Sequence, residues 1–240
     1  MTDNLIFYVK IAGLTVEMRS RYACTKEFCS DYLTDGENVD LIAAVSESEI
    51  DAEGGLYDSP HSREYCESIC LYRAIAERLP SYHRFVFHGA AVEADGKAYL
   101  FAAPSGTGKS THVGLWMKHF GDRVSIINGD KPIIGVEEGA ATVYSCPWAG
   151  KEGWQRNTHA PIGGICLLAR GKENRIERID PSAYFDELIR QIYVPKNGEA
   201  MLQTLELLNE LAKQVPFYRL ECDVSENAAV TSFQMMVEGK

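Results

Sequence analysis

Residues 103 to 110 read Ala-Pro-Ser-Gly-Thr-Gly-Lys-Ser, and Thr111 follows. The spacing Ala103-x-x-x-x-Gly108-Lys109-Ser110 matches the Walker A pattern of a P-loop at every position except the first, where the pattern has Gly. Gly106 and Gly108 free the backbone to turn successive N–H groups toward an anion, and the start of a following helix adds unpaired amides and a favourable dipole. Lys109 has the length to reach β- and γ-phosphates, and the Ser110 hydroxyl suits Mg²⁺. Ser105, Gly106, Thr107, Gly108, Lys109, Ser110 and Thr111 are therefore the expected nucleotide-binding residues. Ala103 is compatible with this if its backbone adopts a φ open to residues other than Gly. The competing reading is a Gly-rich turn without chemistry.

Asp130 stands 20 residues beyond Ser110, just past the apolar run "RVSIIN". A carboxylate at that strand end would sit beside the loop and hold Mg²⁺ directly or through water. A plain turn-forming Asp is the alternative, since Asn128-Gly129 is turn-prone. His88 opens "HGAAVEADGKAYLF", and a His, titrating near pH 6.5 when unperturbed, suits orienting or deprotonating a hydroxyl. A packed strand histidine is the other reading.

The polar and aromatic stretch "PWAGKEGWQRNTHAP" (147–161) offers Lys151, Arg156 and His159 as phosphate or substrate contacts on a mobile flap. It is equally readable as a solvated loop with Trp148 and Trp154 packed beneath. Arg170 is a candidate of the same kind. His83, His112 and His119 read as surface or helix residues, and Arg63 with Glu67, four apart, as a supporting ion pair.

These residues need elements to position them. "LIFYVKI" and "VDLIAAV" read as strands around a short helix near 28–33, and "ESEIDAEGG" (47–55) as a boundary or exposed loop. Ser59-Pro60 reads as the cap and first turn of a helix whose apolar face is Tyr65, Ile69, Tyr72, Ala76 and Leu79, ending at Pro80. Asp95-Gly96 between two β-rich runs predicts a tight hairpin. Lys109 to Phe120 predicts a helix closed by Gly121. Further strands are expected at "RVSIIN", "KPIIGV", "TVYS", at a pair formed by "PIGGICLLA" and "RIERI", and at "FYRLEC". Helices are expected at 181–193, 200–215 and 225–236. The fold class is α/β. A small N-terminal α+β portion (1–80), separate or part of one compact domain, precedes a P-loop kinase domain (81–240).

The segment "FHGAAVEADGKAYLFAAPSGTGKST" resembles the HPr kinase/phosphorylase and phosphoenolpyruvate carboxykinase superfamily over residues 85–135. A His opens a β-hairpin, the phosphate loop follows the return strand, and an acidic site follows the next strand. "PIGGICLLARGKENRIERI" is similar to later strands of small HPr-kinase-like proteins, including kinases that modify peptides. The resemblance implies a mixed β-sheet core, places His88, Lys109 and Asp130 in catalytic roles, assigns Ser110 and Asp130 to the metal, and implies frequent assembly into oligomers. Gly129 stands where the family has a second acid, which leaves the general base open. Thr111 stands where HPr kinases carry Glu, which argues against HPr as acceptor. Carboxykinase activity is not expected, because no Lys occurs between Lys26 and Lys97 to match that enzyme's upstream metal ligand.

The chain has 240 residues and a formal net charge of −10, a balance that disfavours a nucleic-acid partner. No run approaches the roughly 18 apolar residues of a membrane span, and no export signal opens the chain. Its seven cysteines include no C-x-x-C pair; Cys66 and Cys70 read as small hydrophobes rather than a metal clip. A cytoplasmic protein is expected, with ATP and Mg²⁺ (Mn²⁺ as an alternative ion) as cofactors and a hydroxyl-bearing protein, peptide or metabolite as acceptor. A phosphorylase or ATP hydrolase and a nucleotide-sensing regulator remain as alternatives.

Overall fold

The computed structural model describes residues 5–58 and 60–240. The chain forms a three-stranded sheet with its own helices and a nine-stranded mixed sheet covered on both faces. In the first, β1 (Leu5–Ile11) and β2 (Leu14–Ser20) form a hairpin, and β3 (Leu41–Ala44) lies parallel to β2. Ala12 and Gly13, with φ of 50° and 79°, make its tight turn, as a two-residue hairpin requires. Sequence reading passes over β2 because Glu17 and Arg19 interrupt it. They alternate with fully buried Val16 and Met18, the period of a strand with one solvated face.

Helices α1 (Ala23–Phe28), α2 (Glu47–Gly54) and α3 (Arg63–Ala76) complete this portion. The stretch expected as a loop at 47–55 is thus a helix. Ser46 caps it in a reciprocal box with Glu49, and Ile50 and Glu53 are buried beneath it. Glu53 pairs with Arg73 and accepts from the Tyr57 hydroxyl at 2.5 Å. The expected cap at Ser59 lies outside the described residues; Ser62 caps α3, accepting from the Tyr65 amide. The buried side of α3 is Cys66, Glu67, Cys70, Leu71, Tyr72, Ile75 and Ala76, while Tyr65 is exposed. Arg63 turns outward to Asp51 and Glu47. Glu67 instead points inward, so the expected Arg63–Glu67 pair does not form.

The large sheet runs β4 (Arg84–Val86), β8 (Ile133–Glu137), β9 (Ala140–Tyr144), β10 (His159–Arg170), β6 (Lys97–Ala102), β5 (Ala90–Ala94) and β7 (Val124–Asn128). Strand β10 belongs to both halves. Its first residues pair antiparallel with β9, and its later ones lie parallel to β6 and to β12 (Phe217–Cys222). This sharing curls the sheet. Strand β11 (Arg175–Ile179) does not pair with β10 as expected; β12 inserts between them.

The β5–β6 hairpin turns at Asp95-Gly96, with φ of 49° and 77°. Helices α5 (Phe185–Ile189) and α6 (Gly198–Gln214) contribute Leu188, Leu207, Leu208 and Leu211 to the apolar layer on one face. Helices α4 (Lys109–Phe120) and α7 (Glu226–Met236) contribute Val113, Trp116, Ala229 and Phe233 to the other. His112 is a helix residue, as one of its two readings had it, and is buried where α4 faces α7. Its Nε2 lies 3.0 Å from Ser232 Oγ, and burial pushes its pKa down to about 4. The third apolar cluster joins the N-terminal sheet and α3 to Val86, Ile133, Cys146 and Trp148. The result is a mixed α/β fold with a curled mixed sheet. Among the described residues no helix is long and apolar enough to cross a membrane.

Candidate functional site

The Gly-rich loop leaves the end of β6 and enters α4. Gly106 and Gly108 take φ of 77° and 123°, and nothing lies within 4 Å of where a side chain would project from either. Ala103 is fully buried and is not among the residues with positive φ, so its methyl group is accommodated without strain. No side chain caps α4, and the first amides of a helix have no intrahelical partner. The Lys109 amine folds back onto the Ala103 carbonyl at 2.8 Å. Outside the loop, Arg170 donates to the carbonyls of Gly106 (2.6 Å) and Thr107 (3.4 Å). Arg170 therefore holds the loop's shape and does not enter the space the loop encloses.

That space is a cleft of about 920 Å³, lined on one side by Ser105, Gly106, Gly108, Lys109, Ser110 and Thr111. Thr107 turns its amide to the Pro104 carbonyl at 3.2 Å and does not line it. His88, Gly129, Asp130 and Lys131 form the floor.

His88 sits where the chain crosses from β4 to β5. Its amide donates to the Gln191 carbonyl at 2.5 Å, and the flanking amides of Phe87 and Gly89 donate to Pro132 (2.9 Å) and Asp130 (3.0 Å) carbonyls. With its amide oriented to satisfy its neighbours, Gln191 also donates to the carbonyls of Ala103 and His88 at 3.2 Å. The helix expected to run to 193 stops at Ile189. The chain then extends, and Ile192 bridges to Phe87.

Asp130 is placed by buried Asn128, whose Oδ1 accepts from the amides of Asp130 (3.0 Å) and Lys131 (2.8 Å) and whose Nδ2 donates to the Cys146 carbonyl at 2.9 Å. The Asp130 carboxylate has a partner on each oxygen: His88 Nε2 lies 3.3 Å from Oδ1, and the Lys131 amine pairs with Oδ2. Burial alone would raise its pKa, but the hydrogen bonds from His88 and Lys131 and the Lys131 charge outweigh it and hold the carboxyl down at about 2. Burial lowers the Lys109 ammonium pKa; Asp130 opposes this, and the like charge of Lys131 adds to it.

The opposite wall comes from the N-terminal portion: Cys24, Thr25 and Phe28 on α1, and Glu64, Tyr65, Ser68 and Ile69 on α3. Buried Glu67 ties the two together. It accepts from Ser20 Oγ (2.7 Å), the Arg21 amide (2.7 Å) and Thr25 Oγ1 (2.9 Å). Between the walls runs the segment expected as a flap. Trp148 is buried, donating to Ser68 Oγ at 3.0 Å and packing near Phe28 and Tyr72. Lys151 and Glu152 line the cleft. The Trp154 carbonyl accepts from the Gly129 amide at 2.8 Å. Gln155 bonds Tyr32 (2.7 Å) and Asp31 (3.0 Å), the Tyr32 hydroxyl reaches Ser145 Oγ at 2.8 Å, and Asn157 donates to the Asp31 carbonyl at 2.7 Å. Arg156 turns away to Glu93 (2.8 Å) and Ser125 (3.0 Å). His159 opens β10 and stacks on Tyr144. Both lie outside the cleft.

Two glycines in this region are required by close approach. A Cβ on Gly150, whose φ is 81°, would lie 2.9 Å from the Asp130 Cβ. A Cβ on Gly129 would lie 3.0 Å from the Ala149 carbonyl oxygen, with the Trp154 backbone and Cβ at 3.3 Å. A side chain at 129 would need these neighbours to shift by a few tenths of an ångström. Among the described residues no three His, Cys, Asp or Glu side chains gather into a metal site. A Mg²⁺ ion that keeps waters and phosphate oxygens needs only one or two protein ligands, and Asp130 and Ser110 in the same cleft fit that requirement.

Sequence reasoning missed Lys131, Asn128 and Gln191. Asn128 and Lys131 lie within "NGDKP", which reads equally as a turn, and nothing local marks Gln191. No protein-family model matches the chain, and no curated protein matches it in sequence. Among solved structures it is similar to the HPr(Ser) kinase/phosphatase from Coxiella burnetii, at a TM-score of 0.36 and 9% identity, over 64% of this chain and 94% of that one.

Proposed function

We propose that the chain is an HPr-kinase-like, ATP-dependent phosphotransferase that moves the γ-phosphoryl group to a Ser/Thr-type hydroxyl on a protein, peptide or small metabolite. The observation that carries this is the convergence of the open Gly-rich loop, Lys109 and Ser110 with the His88–Asp130 pair on one cleft. Phosphoryl transfer asks the protein for positioning and charge stabilisation more than for covalent help. The loop amides and Lys109 hold the phosphates. Mg²⁺ or Mn²⁺, held by Ser110 and Asp130, would neutralise phosphate charge.

The acceptor oxygen bonds to the γ-phosphorus as the bond to the β,γ-bridging oxygen breaks, and ADP leaves with that oxygen. The acceptor proton goes to His88. The Asp130 Oδ1 lies 3.3 Å from His88 Nε2. Asp130 therefore orients the imidazole through Nε2, which leaves Nδ1 as the proton acceptor.

One observation favours a second reading. Gly129 supplies no second acid beside Asp130, which suits a nucleotide sensor that binds ATP without turnover. Incubation with γ-labelled ATP and Mg²⁺ separates the readings. Label in an added hydroxyl acceptor supports the kinase, label in free phosphate a phosphorylase or hydrolase, and tight binding with no transfer the sensor. Lys109→Ala should lower turnover about 100-fold or more, the scale of losing a preorganised charge-stabilising donor; undiminished turnover would overturn the assignment.

A further inference from the structure

Three ammonium groups reach the cleft of this acidic protein: Lys109, Lys131 and Lys151. Lys109 belongs to the loop and Lys151 to the segment opposite. Lys131 has had no role beyond its pairing with Asp130. We infer that Lys131 is a phosphoryl-contacting residue, delivering its ammonium to the terminal phosphate of a bound nucleoside triphosphate; this rests on the phosphotransferase reading above.

Four observations support it. The Lys131 backbone is fixed on both sides, its amide donating to Asn128 Oδ1 at 2.8 Å and its carbonyl accepting from Cys146 Sγ at 3.0 Å. The side chain thus starts from a fixed point on the cleft floor. Its amine is partly exposed, 6.0 Å from the Tyr72 ring centroid and paired with a carboxylate that a nucleotide-bound cation would also claim. Asp130 is the carboxylate on the cleft floor, and a side chain at 129 would need the Ala149 carbonyl and Trp154 to shift. Lys131 is the cation beside that acid. Finally, Lys109 and Lys131 line the same cleft, and two cations facing one space form a site that an anion between them relieves.

The test is binding, measured by calorimetry in EDTA for ATP and ADP. Removing Lys131 alone would leave Asp130 unpaired beside the phosphates, so the comparison uses Asp130→Asn as background. Asp130→Asn frees the Lys131 amine and should tighten ATP. Adding Lys131→Met should then weaken ATP about 10-fold or more, the range of a hydrogen bond to a charged group, and change ADP by less than about 2-fold. Lys131→Arg in the same background should retain most of the ATP affinity. Equal loss for ATP and ADP, or no loss for either, overturns the role of Lys131. If the unaltered protein binds neither nucleotide, with or without Mg²⁺, the phosphotransferase reading fails instead. Circular dichroism of each variant establishes that it is folded.

Discussion

Three neighbours converge on Asp130. Its oxygens face His88 and Lys131, and its Cβ lies against the backbone of Gly150, whose φ is 81°. An alanine at 150 would add left-handed strain and a contact at 2.9 Å to the Asp130 Cβ. Gly150→Ala should therefore destabilise the protein by about 1–3 kcal/mol and lower turnover by displacing the carboxylate. Urea unfolding and kcat/KM are the measurements, and a variant equal to the original in both would contradict the packing described. Residue types and spacing single out Lys109, Ser110 and Asp130, and the family resemblance adds His88. They could not place Arg156, His159 and Arg170, because a flexible basic side chain says nothing about which partner it reaches. Here the partners are Glu93, the Tyr144 ring and the loop carbonyls. Lys131 was invisible for a related reason: a Lys after an Asp in a turn looks the same whether solvated or functional.

At the scale of elements, α4 carries the loop into the core and α7 holds it. Ser232 on α7 is the fastener. It donates to the Ala228 carbonyl at 3.0 Å, accepts from Trp116 Nε1 at 2.8 Å and sits 3.0 Å from His112 Nε2. Ser232→Ala would take the partner from buried Trp116 Nε1 and His112 Nε2, at about 1–3 kcal/mol each. We expect a loss of roughly 2–4 kcal/mol in chemical denaturation with the secondary structure retained. A change within about 0.5 kcal/mol, as at an ordinary surface site, would show that the hydroxyl is dispensable. The elements with strong local signals were legible. Asp95-Gly96 turns the hairpin, Gly121 closes α4, and apolar runs mark β7, β8 and β9. Those missed depend on distant partners. Helix α2 packs its buried side on α3, and β12, itself expected as a strand, takes a place between β10 and β11 that no local pattern announces.

The N-terminal portion shares one apolar cluster with the large sheet, since that cluster includes Val86, Ile133, Cys146 and Trp148. The expected boundary near residue 80 is crossed by these contacts and by Arg84, which donates to the Ala12 carbonyl at 2.7 Å. Unfolding should then be a single cooperative event, with circular dichroism and tryptophan fluorescence tracing the same urea transition. Two separated transitions would mean that residues 1–80 fold on their own. Composition spoke to this scale only through averages: a charge of −10 conceals three lysines gathered in one cleft.

Tyr32, Asp31 and Ser68 have their partners at residues 145, 155, 157 and 148, more than 70 positions downstream. A recombination crossover anywhere between positions 81 and 144 would separate them. Hybrids made from two parents there would inherit one parent's hydroxyls facing the other parent's amides. Productive chimeras of this lineage should keep the opening third and the stretch from 145 to 157 from the same source.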